Sequence, residues 1–308
     1  MDSFAPLEDA TLPDIYVVLT HGDEDHYYFL MDMLSTLENR WGDTLNIRFL
    51  LGGKEDDFRE KDGSLIPFYQ DVEDKHDKAV YGSFLAPEVL AQQPVPNAPP
   101  PDILPFTANT QLQILAALET RTSNTNSIVA RFTHGETSVI FTGDATGRTL
   151  ATAAQKLPEG TSTTLLQLSH HGANSHGSNN PDWLNATRAR YFACSSGTTQ
   201  NYKHPHGETI ANLVTTYKYR PVQPYIIKCS NTLQEDPPLI KIFQREGKYV
   251  YSLCQVPLFS TLIQKTIKFQ FDAEENLLSA PNTAYVEKDT PAQETYAQPP
   301  TAAERAAF

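Results

Sequence analysis

The chain has 308 residues, 40% hydrophobic and 20% charged, a balance that supports a buried core and excludes a fibrous or wholly disordered chain. A formal net charge of -13 repels polyanions at long range, which excludes a general electrostatic nucleic-acid binder while leaving a local cation free to attract phosphate. Three widely spaced cysteines (Cys194, Cys229, Cys254) argue against a disulfide framework or thiolate zinc site, and the absence of a long apolar run or secretory pattern predicts a cytoplasmic protein with no membrane association and no stable protein partner.

In chain order, residues 15–19 form a short apolar run that predicts a buried strand, ending in the polar segment from Thr20 to Asp25. Phe29, Leu30, Met33, Leu34 and Leu37 then recur at helical spacing, which predicts a helix over 27–41 with Asp25 and His26 at its N-terminal end. A second strand over 46–51 stops at Gly52-Gly53, giving a βαβ-like opening. Residues 54–105 begin charged and become proline-rich (PVPNAPPP at 94–101), so they are expected to be an insertion or lid.

Helical spacing returns over 110–118. Runs at 127–132 and 137–141 predict a hairpin across His134-Gly135-Glu136, and the second of them delivers Thr142-Gly143-Asp144 at its end. An apolar run at 164–168 delivers His170-His171-Gly172, and one at 189–194 delivers Ser195-Ser196-Gly197. Strand-like segments follow at 225–229, 239–243 and 249–254. From residue 272 the chain is polar and rich in Pro and Ala, so the expected organisation is one domain over 1–271 and a disordered tail over 272–308.

Seven of the nine histidines (His21, His26, His170, His171, His176, His204, His206) fall in three short windows at predicted strand ends. The first window, Thr20-His21-Gly22-Asp23-Glu24-Asp25-His26, packs two imidazoles among three carboxylates. Crowded carboxylates raise one another's pKa, and a bound cation relieves them; the competing reading is an acidic cluster favoured by a helix N-terminus. In an extended loop, residues two apart point the same way, so His21 and Asp23 are expected to share one ion, and Asp25 with His26 to turn toward another. Nitrogen and carboxylate donors suit zinc, with manganese or iron as alternatives.

This string resembles the His-x-His-x-Asp-His signature of the metallo-β-lactamase superfamily, in the variant with aspartate as second ligand. Within that superfamily it is similar to the hydrolase domain of bacterial DNA-uptake (competence) channel proteins and to phosphorylcholine esterase domains. Asn126-Ser127 with VIFTGD at 139–144, LQLSHHGANS at 166–175 and Tyr202-Lys203-His204-Pro205 continue the resemblance in order.

The resemblance implies an α/β fold, a metallo-β-lactamase-like αββα sandwich of mixed sheets, here without counterparts for the strands that precede the metal motif in the family. It implies two divalent metal ions held by His21, Asp23, Asp25, His26, Asp144 and His171 (or His170 in its place), with Asp144 bridging them. His170, His204 and Asp25 are the implied catalytic residues, His204 as a contact to substrate phosphate. The histidine that many members place between the first motif and the bridging aspartate has no clear counterpart. One metal then has fewer protein ligands, or Asn126 substitutes weakly, or a single ion is held. The implied activity is hydrolysis of a phosphodiester or phosphomonoester, a small molecule or a nucleic acid, by metal-activated water. The alternative is a degenerate, non-catalytic binding or scaffold protein of the same fold.

Overall fold

The structure is a computed structural model that describes residues 15–41, 47–70, 77–80, 103–118, 120, 122–196, 204–217, 224–229, 241–245, 248–254, 258–261, 269–271 and 277–279. The chain opens with β1 (Ile15–Leu19), a short helix α1 (Glu24–Tyr27), α2 (Leu30–Trp41) and β2 (Ile47–Leu51). β1 and β2 pair in parallel, and β2 pairs in parallel with β3 (Asp77–Val80). A second, seven-stranded sheet follows. Its meander is β4 (Ile103–Thr107), β5 (Thr110–Ala116), β6 (Val129–His134) and β7 (Thr137–Phe141). It continues in parallel through β8 (Thr163–Gln167), β9 (Ala189–Cys194) and β13 (Leu258–Ser260). Between these strands run α3 (Gly147–Lys156), α4 (Pro181–Thr187) and α5 (Gly207–Tyr217). Antiparallel β10 (Pro224–Cys229), β11 (Lys241–Arg245) and β12 (Lys248–Cys254) form a separate sheet, and β14 (Gln270–Phe271) pairs with β15 (Leu277–Ser279).

Three apolar clusters stack these elements. Leu34 of α2 packs with Ile47, Phe49 and Leu51 on the outer side of the small sheet. Leu50 meets Leu112, Ile114 and Ala130 between the two sheets, with Tyr16, Val18 and Phe132 partly buried against them. Leu150, Ala153, Trp183, Leu184, Ile210 and Leu213 of α3, α4 and α5 cover Val129, Ile140, Leu166 and Phe192 on the far side of the large sheet. The result is the expected αββα sandwich of mixed sheets.

Three local expectations are corrected. The helix over 27–41 begins earlier, at Glu24, and breaks at Tyr28-Phe29, whose rings are exposed at 61% and 74%. Residues 110–118 carry a strand and no helix. Both faces of β5 are covered, with Leu112 and Ile114 on the sheet side, Leu115 on the helix side and a bulge between Ile114 and Ala116, so the apolar run loses the alternation that marks a half-exposed strand. The expected lid is in part core, because Phe58, Ile66, Phe68 and Tyr69 are buried under α2 and β3 completes the small sheet. The proline-rich stretch 94–101 and residues 280–308 of the tail lie outside the described residues.

Candidate metal centre

β1, β7, β8 and β9 all end at the same rim of the sandwich. The loops leaving them carry Thr20 to Asp25, Thr142 to Asp144, Ser169 to His171, and Ser195. Backbone bonds tie these loops together: Ile128 N–H donates to the Thr20 carbonyl at 2.9 Å and His170 N–H to the Gly143 carbonyl at 2.9 Å. The side chains therefore converge although far apart in sequence, as ligands do at strand ends in α/β folds.

Asp144 is at the centre, 4% exposed. Its Oδ1 lies 3.2 Å from His26 Nε2, and its Oδ2 lies 3.5 Å from His171 Nε2 and 3.6 Å from His170 Nε2. One donor atom each from His21, His26 and Asp144 falls within 4.8 Å of the others, and the same holds for Asp25, His26 and His171. The grouping differs from the one expected for an extended loop. Asp23 stops the extended segment and α1 begins after it, so His26 turns back to join His21. Asp23 is left at 3.4 Å from His21 Nε2 and outside both groups, and His26 belongs to both.

His21 Nε2, His26 Nε2 and Asp144 Oδ1 are buried and have no hydrogen-bond partner. Orphaned buried polar atoms of this kind are costly, and three of them facing one another have the chemistry of a divalent-cation site. The opposite ring nitrogens are braced. His21 Nδ1 lies 3.2 Å from Thr20 Oγ1 and 3.3 Å from Ser127 Oγ, His26 Nδ1 lies 3.4 Å from Thr20 Oγ1, and His171 Nδ1 donates to the Ser195 carbonyl at 2.8 Å. Such contacts fix ring orientation and leave Nε2 facing the pocket.

Electrostatics agree with this packing. The hydrogen bond from His171 holds Asp25 down to about 2, against partial burial. Burial pushes His171 down, but Asp25, Asp144 and the Ser195 carbonyl outweigh it and lift the ring to about 9. Burial raises Asp144, yet the surrounding His26, His171 and His21 bring its carboxyl below the usual range. The His21 ring beside it likewise lowers Asp23.

His170, His171 and Gly172 all have positive φ (50°, 54° and 83°), a left-handed turn that costs non-glycine residues about 1–2 kcal/mol each. Asn179 holds it: fully buried, its side chain accepts from Ser169 N–H at 2.9 Å and donates to the Ser169 and Ala173 carbonyls at 2.8 and 2.7 Å. His170 Nε2 faces the Asn124 amide at 3.3 Å. His204 is 9% exposed, with ring centroids 5.7 Å from His170, 5.9 Å from His171 and 4.8 Å from His206. Burial, followed by the three neighbouring imidazoles, pushes His204 down to about 4. His134 is exposed beside Thr110 Oγ1 at 2.7 Å, away from the centre, and His76 lies outside the described residues.

Asn126 is no ligand. Its Oδ1 accepts from Thr120 N–H and Oγ1–H at 2.6 and 2.8 Å, and its Nδ2 donates to Asp57 at 2.8 Å. The contacts from Thr20, Ser123, Asn124, Ser127 and Asn179 were not expected from the sequence. For Ser123, Asn124 and Ser127 the one signal there is the dense polar run TSNTNS before a strand, and Thr20 and Asn179 have none, since hydroxyls and amides are too common to mark a site by type.

A family model described as the metallo-beta-lactamase superfamily matches residues 14–173, more than half of the chain. No match was found among curated proteins. That superfamily consists generally of hydrolytic metalloenzymes that bind divalent metals, often zinc, and the two His/Asp groups that share His26 are donor sets of that kind. Among the described residues no helix is long and apolar enough to cross a membrane. By this match, with the αββα sandwich and the strand-end donors in agreement, the chain belongs to the metallo-β-lactamase superfamily.

Proposed function

We propose that the protein hydrolyses a phosphoester, with two divalent cations, zinc first among them, held by His21, Asp23, Asp25, His26, Asp144 and His171. The reading rests on Asp144, whose two oxygens face different donors, His26 on one side and His171 with His170 on the other, as a bridging carboxylate requires. When bound, divalent cations acidify water and neutralise charge on phosphorus. The protein's own part is positioning and proton transfer. Asp25, ionised and exposed at the rim, accepts the proton of the attacking water as its oxygen bonds to phosphorus. His170 and His204 donate N–H hydrogen bonds to the departing oxygen, and the Asn124 amide beside His170 adds a donor for a phosphoryl oxygen.

Imidazole and amide donors bind a small phosphate ester without a basic surface. The net charge of -13 accordingly favours a small phosphodiester or phosphomonoester over nucleic acid. Aspartate at position 23 supports kinship with the DNA-uptake channel hydrolases and phosphorylcholine esterases.

The test is metal analysis of purified protein, then turnover of bis-p-nitrophenyl phosphate and p-nitrophenyl phosphorylcholine before and after chelation. One to two equivalents of metal and chelator-sensitive hydrolysis are expected. Well under one equivalent, with no hydrolysis after zinc, manganese or iron is added, sinks the enzyme reading in favour of a degenerate binding protein.

A further inference from the structure

The loop over 120–127 touches the metal centre at several points without contributing a ligand. Ser123 lies near Asp23 and helps to lower its pKa, Asn124 faces His170, and Ser127 Oγ sits by His21 Nδ1 while accepting from Asp144 N–H at 3.2 Å. What holds this loop is remote from the reacting atoms. Asn126 is fully buried and uses both ends of its amide: Oδ1 takes both donors of Thr120, and Nδ2 donates to Asp57 Oδ2 at 2.8 Å. The same Asp57 oxygen accepts from Lys54 N–H at 3.0 Å, closing the turn that begins after β2.

Asp57 also lies directly under the metal loop. A side chain at Gly22, between His21 and Asp23, would overlap the Asp57 carbonyl, and one at Gly53 would collide with its carboxylate. The side-chain pair thus joins the turn after β2 to the 120–127 loop, and the Asp57 main chain packs against the His21-Gly22-Asp23 loop.

We propose that Asp57 and Asn126 are a positioning pair for the metal centre, setting cation affinity by holding the 120–127 loop against His21, Asp23 and His170. The inference rests on the metal reading of the site. Residues that orient ligands from outside the coordination shell are worth about 10- to 100-fold in metal affinity. The amide is the only group of the pair that donates. Aspartate at 126 keeps its size and its acceptor for Thr120 but sets two carboxylates against each other.

The experiment measures zinc affinity by chelator competition and the cobalt(II) absorption spectrum, with circular dichroism and thermal unfolding as checks on the fold. Asn126→Asp is expected to weaken zinc about tenfold or more and to alter the cobalt bands. Should Asn126→Asp not fold, Asp57→Ala carries the test, because that carboxylate is partly exposed and its loss buries no new charge. Its expected result is weaker zinc binding in a folded protein.

Parent-like affinity in a folded Asn126→Asp or Asp57→Ala protein overturns the proposal. A shift in melting temperature alone, with unchanged affinity, also overturns it by reducing the pair to a structural role. A parent protein that binds no zinc, manganese or iron sinks the metal reading instead.

Discussion

Replacing Gly172 by alanine tests the strain and packing of the turn that carries His171. At φ +83° an added Cβ would lie 2.7 Å from Pro205 Cβ and 2.9 Å from Cys194 Sγ. Ordinary contacts are about 3.5–4.0 Å, so both neighbours must retreat by roughly 1 Å. The left-handed backbone costs alanine about 1–2 kcal/mol and the forced contacts about 1–3 kcal/mol, against about 0.4–1 kcal/mol regained from a stiffer unfolded chain. The net loss is about 2–4 kcal/mol. Gly160→Ala is the control, since its φ is +76° but no atom lies within 4 Å of the new Cβ, so only the backbone cost applies. Urea unfolding should show the Gly172 midpoint lowered by about 1 M or more at an unchanged slope, and the Gly160 midpoint by much less. Gly172→Ala/Cys194→Ala should lose less than the sum of its single changes, because the shorter side chain opens the contact. If the two glycine variants shift equally, the steric argument fails.

Asp144→Ala should abolish turnover and lower metal content while leaving the circular dichroism spectrum unchanged. Substantial residual activity shows that Asp144 does not bridge the ions. Tyr217 Oη donates to the Leu184 carbonyl at 2.6 Å and accepts from Ala189 N–H at 3.1 Å, so Tyr217→Phe should cost about 1–2 kcal/mol in unfolding with turnover unaffected. Burial raises the Tyr217 pKa above 10, so the folded phenol resists ionisation after the unfolded one has begun to lose its proton. That stability is present below pH 10 and lost as the pH rises through the folded value, so the decline in midpoint between pH 9 and 11 should be smaller in the phenylalanine variant, with the raised Tyr27 supplying part of what remains.

The site was legible where chemistry is concentrated. Asp25, His26, Asp144 and the two adjacent histidines stand out because each follows an apolar run and is a residue type that apolar runs avoid. The grouping was not legible. That His26 folds back onto His21 depends on where α1 begins, which three consecutive acidic or polar residues do not announce. β5 was misread because coverage on both faces removes the period-two pattern, and Phe58 was hidden among the charges at 54–62, with Ile66, Phe68 and Tyr69 in the short segment just after them. Asn126 and Asn179 are asparagines like any others until the loops they brace are brought together.

The donors come from both halves of the sandwich: His21 and His26 follow the last residue of β1 in the small sheet, whereas Asp144 and His171 follow β7 and β8 in the large one. A cation gripped by both sets works as a rivet through the seam between them. Its binding free energy then becomes cohesion between the sheets as well as catalytic equipment. Slow hydrogen exchange in β1 and β2 should therefore depend on metal supply, and under metal starvation the protein would lose grip on these two strands before the seven-stranded sheet gives way.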